Sequence, residues 1–144
     1  MKKFFNIHLM MIMLAGVLVT SANAQTSSTQ RVTASIPFTF SVGKTTLPAG
    51  RYTFTVLNPS SDRKVLQIRS LDGRSSAMTF TTGVIGSASD NAKLVFEHYG
   101  DHYVFARAQM AGDTTSLAVI RTKEPRDKHL AKAGKKSIVV TVRS

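Results

Sequence analysis

An all-β domain is what this sequence predicts: an antiparallel sandwich or small barrel of roughly seven or eight strands with one short late helix. Three observations predict it. Apolar and polar residues alternate with period two over residues 31–42 and again over 51–56. Gly, Pro, Asn and Asp punctuate the chain at short intervals from Gly43 onward. Only residues 122–133 carry helix start and stop signals, with Thr122 as cap, Pro125 in the first turn and Gly134 just past the end.

The chain opens on a different pattern. Lys2 and Lys3 precede an apolar run from Ile7 to Val19, broken only by His8 and Gly16, and Ala22-Asn23-Ala24 follows. Charge, greasy centre and small-residue cut site are the three parts of a secretory signal peptide. The run falls short of the roughly 20 residues that a bilayer span needs. The expected organisation is therefore a signal peptide over 1–24, a flexible polar leader over 25–30 and one β-rich domain over 31–144. Cleavage after Ala24 leaves a chain with no transmembrane helix, secreted or periplasmic.

The elements then follow in order. Val32, Ala34, Ile36, Phe38, Phe40 and Val42 form one face of a first long strand. Pro37 cannot donate a ladder bond, so this strand lies at an edge or is bulged there. Leu47-Pro48-Ala49-Gly50 reads as a turn. Tyr52, Phe54 and Val56 make the apolar face of the next strand, and Asn58-Pro59-Ser60-Ser61-Asp62 a loop. Residues 64–70 and 75–81 flank Leu71-Asp72-Gly73-Arg74, a hairpin signal. A two-residue Asp-Gly loop would pair Ile68 with Ala77 and Leu66 with Thr79. A three-residue loop with Gly73 left-handed would instead pair Leu66 with Met78 and Ile68 with Ser76, keeping Leu66, Ile68, Met78 and Phe80 on one face. That register is the expected one, because one face of a sheet normally carries the apolar set. Residues 83–91 read as a small-residue connection.

Residues 93–99 and 102–109 form a second hairpin around Gly100-Asp101. A two-residue loop pairs Phe96 with Phe105 and His98 with Tyr103. Residues 117–120 suggest a short strand. Ile138, Val139, Val140 and Val142 make a final one, flanked by Lys135, Lys136 and Arg143 as charge gatekeepers.

Two stretches carry a resemblance. Ile36-Pro37-Phe38-Thr39-Phe40-Ser41-Val42-Gly43 with Leu47-Pro48-Ala49-Gly50-Arg51-Tyr52 resembles small secreted β-rich proteins of soil bacteria. So do Leu71-Asp72-Gly73-Arg74, Lys93-Leu94-Val95-Phe96 and Tyr99-Gly100-Asp101-His102-Tyr103. The resemblance spans most of residues 32–109. It implies a secreted β-domain and brings no activity, cofactor or catalytic residue with it.

Composition narrows the chemistry. The 144 residues include no Cys, which excludes disulfide scaffolds, Cys-ligated zinc modules and thiol enzymes. His98 and His102 flank a turn that sends their rings to opposite faces, so a half-buried His98 and a surface His102 are expected rather than a metal pair. Ser and Thr fall at alternate strand positions, and no G-x-S-x-G elbow occurs. Most carboxylates fall in turns, where Asp bonds its own backbone. Glu97 is mid-strand and reads as a solvated residue beside Val104.

Charge is the one asymmetry. The chain has 19 Lys+Arg against 8 Asp+Glu, a formal +11. Residues 121–144 hold eight basic and two acidic groups, and Arg126, Lys128, Lys132, Lys135 and Lys136 crowd within eleven positions. Such a cluster suits an anionic envelope polymer or lipid surface through counterion release. No aromatics interleave with it, so specific nucleic-acid binding is not expected. The expected function is a non-enzymatic secreted β-domain acting as an envelope or extracellular binding component, with no cofactor. Alternatives are a lipocalin-like barrel, its apolar ligand lined by Tyr52, Phe54, Phe96, Tyr103 and Phe105, or an uncharacterised hydrolase. An outer-membrane barrel needs strands of about 9–11 residues, and only the first is that long.

Overall fold

Period-two patterning does become strands. The computed structural model describes residues 30–121, 134 and 136–142. Among the described residues there is no helix, and ten strands form one mixed sheet. They are β1 (Arg31–Ile36), β2 (Phe40–Val42), β3 (Thr45–Leu47), β4 (Gly50–Val56), β5 (Lys64–Ser70), β6 (Ser76–Ile85), β7 (Ala92–Tyr99), β8 (His102–Gln109), β9 (Thr115–Val119) and β10 (Lys136–Val142). The expected helix over 122–133, the signal peptide and the leader up to residue 29 lie outside the described residues.

The main path runs β1-β4-β5-β6-β9-β8, and β8 continues through β7 to β10. β9 pairs with the last residues of β8, and β2 pairs with Tyr103 and Val104 nearer its start. That β2–β8 pair is parallel, so the sheet is not purely antiparallel as expected. The end strands β1 and β10 approach each other without pairing, and the sheet does not close into a barrel.

The long first strand is two strands. Alternation continues through residues 31–42, but β1 pairs with β4 while β2 pairs with β3 and β8. Pro37 sits at the break, where it has no N–H to offer either partner. The chain thereby crosses from one half of the sheet to the other. Phe38, in the crossing, is half-buried and stacks on Tyr103 with ring centroids 4.0 Å apart. β6 also runs further than expected, through Ile85, because Thr81–Ile85 pair with β9.

The β5–β6 hairpin takes a different register from the expected one. Leu66 stands opposite Thr79 and Ile68 opposite Ala77. Met78 and Phe80 therefore face outward, 64% and 62% exposed. The loop explains this. It is closed by Ser70, whose N–H donates to Ser75 O at 2.8 Å. Asp72 Oδ1 accepts from Ser70 Oγ at 2.6 Å and from Arg74 N–H at 3.0 Å, and Ser70 Oγ accepts from Ser75 N–H at 2.9 Å. These bonds suit the span from Ser70 to Ser75, not a three-residue loop. Gly73 supplies the left-handed residue, at φ +74°. Inside, Phe40, Phe54, Phe96 and Phe105 are at most 1% exposed and fill the space, so the inner side of β6 takes Ala77 and Thr81. The Thr81 hydroxyl donates to Lys64 O at 2.9 Å.

The β7–β8 hairpin keeps its expected register: Phe96 faces Phe105 and His98 faces Tyr103, with Gly100 at φ +57° in the turn. A bulge between Val95 and Phe96 restores the inward alternation of the two strands.

Candidate binding surface

Cross-strand partners share a sheet face, so the pairing places every outward side chain. Arg31 stands opposite Thr55, Arg51 opposite Ser35, Arg69 opposite Thr53 and Ser76, and Arg107 opposite Val95 and Ala118. All four arginines are exposed on the outer face. The described aspartates, Asp62, Asp72, Asp90, Asp101 and Asp113, all lie outside the strands. The outer strand positions thus carry these four arginines and one carboxylate, Glu97, while the described aspartates lie in the turns and loops together with Lys44, Arg63 and Arg74. Sequence reasoning centred on the C-terminal cluster and missed this stripe. Its signal was present for Arg31, Arg51 and Arg69, which occupy polar positions of alternating strands, but not for Arg107, which shares the parity of inward Phe105 and turns outward only through the bulge.

Of the clustered cations, Lys136 opens β10, exposed and opposite His98. Arg126, Lys128, Lys132 and Lys135 lie outside the described residues.

Glu97 is not the solvated residue that the sequence suggested. It does stand opposite Val104. Its Oε2 accepts from Tyr99 Oη and from Arg121 Nη1, each at 2.5 Å, and its side chain is 11% exposed. Tyr99 lies two residues along the same strand and so projects to the same face. Arg121 follows β9 and reaches across β8, which lies between β9 and β7. Burial opposes the charge on Arg121, but its bonds to Tyr99 and Glu97 outweigh that and hold its pKa above the ordinary guanidinium value.

The histidines sit as expected. His98 is half-buried and stacks on Tyr103 with ring centroids 4.3 Å apart, while His102 is exposed. Among the described residues, no three His, Cys, Asp or Glu side chains gather as a metal site. The aromatic residues proposed to line an apolar cavity pack on one another instead. Phe54 touches Phe105, Phe96 touches Phe105, and Phe40 touches both Tyr52 and Phe96, with centroids 5.2–5.5 Å apart.

Two turns quoted in the resemblance meet at one end of the sheet. Leu71 N–H donates to Arg51 O at 3.0 Å, and Tyr52 Oη donates to Pro48 O at 2.6 Å. A shallow recess of about 220 Å³ lies between them, lined by Pro48, Arg51, Tyr52, Ser70, Leu71 and Asp72 among others. Burial raises the Tyr52 phenol pKa and the Asp72 charge adds to it, against a bond with Ser75. The Asp72 carboxyl is held below its ordinary value, first by the Ser70 hydroxyl and then by the Arg74 N–H. These contacts brace two turns and account for their residues as fold-forming.

No helix among the described residues is long and apolar enough to cross a membrane. No family model, curated protein or solved structure matches this chain.

Proposed function

We propose that the protein is an exported, non-enzymatic β-domain that binds anionic components of the cell envelope or its surroundings through a basic surface. The observation that supports this is the segregation of charge: Arg31, Arg51, Arg69 and Arg107 share the outer sheet face while the described aspartates lie off the strands. A face whose four exposed arginines meet a single carboxylate, itself ion-paired with Arg121, concentrates polyanions and releases their counterions on binding. The cluster of Arg126, Lys128, Lys132, Lys135 and Lys136 adds to the same sign. Export rests on the three-part N-terminal pattern.

Heparin binding at about 50 and 200 mM salt tests the reading. The wild type should lose affinity steeply with salt. Replacing the four outer-face arginines with Gln, or the five clustered cations with Gln, should flatten the log–log slope. Binding that is absent, or indifferent to salt and to both variants, overturns it.

A further inference from the structure

The outer face carries more than charge. Leu57 N–H donates to Val65 O at 3.0 Å, Val65 pairs with Phe80, and Ile120 N–H donates to Phe80 O at 3.0 Å. These contacts extend the β4–β5 and β6–β9 registers by one position each. They align Leu57, Val65, Phe80 and Ile120 as one outward row across four adjacent strand paths. Neighbouring strands are spaced about 4.8 Å, so the row is about 14 Å long. Leu57, Phe80 and Ile120 are 48%, 62% and 45% exposed, and Met78, one position along β6 on the same face, is 64% exposed. A soluble face normally places polar residues here.

Arginines flank this row on both sides. On one side, Arg31 lies in the row of Thr55, Gln67 and Met78, and Arg69 in the row after it, with Ser76. In the other direction Arg107 lies in the next outward row, with Ala118 and Thr82. Glu97 is the only carboxylate on a described strand, and it is bonded to Arg121. An apolar centre between cationic margins complements a bilayer whose acyl region lies beneath anionic headgroups. Long arginine stems also let the charge stay at headgroup level while the apolar tips enter. A second copy of the chain is a poorer occupant, because pairing two such faces sets arginine margins against arginine margins.

We propose that this face docks the domain on an anionic lipid surface, with Phe80, Met78, Leu57 and Ile120 entering the interface and the arginines holding the headgroups. The proposal rests on the reading of the outer face as a polyanion-binding surface and adds the apolar row to it.

Because the chain has no Trp, Phe80→Trp supplies a single reporter at the centre of the row. Its emission should shift to the blue with phosphatidylcholine vesicles that carry about one-third phosphatidylglycerol, and stay put with heparin or with pure phosphatidylcholine. Vesicle flotation should show binding about tenfold weaker or more for Phe80→Ser with Met78→Ser, and again for Leu57→Ser with Ile120→Ser, while heparin binding is kept. Circular dichroism of each variant confirms the fold. Heparin binding without vesicle binding, or vesicle binding untouched by both double variants, overturns the lipid proposal and leaves the polyanion reading standing. A dimer dispersed by the serine variants, without vesicle binding, overturns it in favour of a second copy. Loss of both heparin and vesicle binding by the wild type overturns both readings.

Discussion

Phe54 on β4 and Phe105 on β8 lie with ring centroids 5.4 Å apart, although three strands, β5, β6 and β9, separate theirs in the sheet. A flat sheet would hold strands four places apart at about 19 Å. The contact therefore measures how far this sheet folds over on itself to enclose its core. Both rings are 0% exposed.

Each ring should then be costly to remove. Phe54→Ala and Phe105→Ala are expected to destabilise by about 3–5 kcal/mol, and Thr53→Ala, on the outer face, by about 1 or less. The double variant should fall short of additivity by about 0.5–1.5 kcal/mol, as touching aromatic pairs do. Denaturant melts of the four proteins check this. Strict additivity would mean that the two halves of the sheet are not packed through these rings.

The β5–β6 register makes opposite demands on two neighbours. Phe80→Ser should cost about 1 kcal/mol or less, because the ring is mostly in water. Thr81→Val should cost more, about 1–3 kcal/mol, by leaving Lys64 O without its 2.9 Å hydroxyl donor. Thermal melts of the two variants give the order. A reversed order would restore the register that places Phe80 inside.

Where local chemistry and burial agree, the sequence could be read. The Gly100-Asp101 turn and the facing Phe96 and Phe105 select the same register, and the structure has it. In the β5–β6 hairpin they disagree. The apolar pattern favours an inward Phe80, but the bonds of Asp72 and Ser70 select the other pairing. Alternation over residues 31–42 was equally blind to the break at Pro37, since side-chain facing carries on while the pairing partner changes. For the surface, the net charge was visible, but the aligned row of Leu57, Val65, Phe80 and Ile120 exists only once four strand paths are in register. Glu97 was misread because its cover comes from Arg121, 24 residues onward.

That ion pair is open to test. Glu97→Gln keeps the shape but withdraws the negative charge from between Tyr99 and Arg121. We expect a loss of about 1–3 kcal/mol, less than for a fully buried pair because the Arg121 side chain is 35% exposed. Tyr99→Phe should cost about 1 kcal/mol, and the two changes should be non-additive. Melts of both single variants and the double variant, at low and high salt, measure this. Costs that simply sum would show that Tyr99 and Glu97 act independently.

Asp72 ties hairpin stability to pH. Its carboxylate accepts from Ser70 Oγ and Arg74 N–H, and these bonds hold its folded-state pKa below the ordinary 3.8. Unfolding frees the carboxylate, so the unfolded chain takes up a proton at higher pH than the folded one. The stabilisation is therefore complete above the unfolded value. It is lost as pH falls through the lower folded value. Asp72→Asn removes this part of the acid response and leaves that of the other carboxylates in place. Melting temperatures recorded from about pH 5 down to about pH 2 should fall further for the wild type than for Asp72→Asn. The two proteins should differ most at the upper end of that range and converge at the lower end. Parallel curves would show that the Ser70 and Arg74 bonds do not depend on the charge of Asp72, and that the hairpin loop is held by its backbone alone.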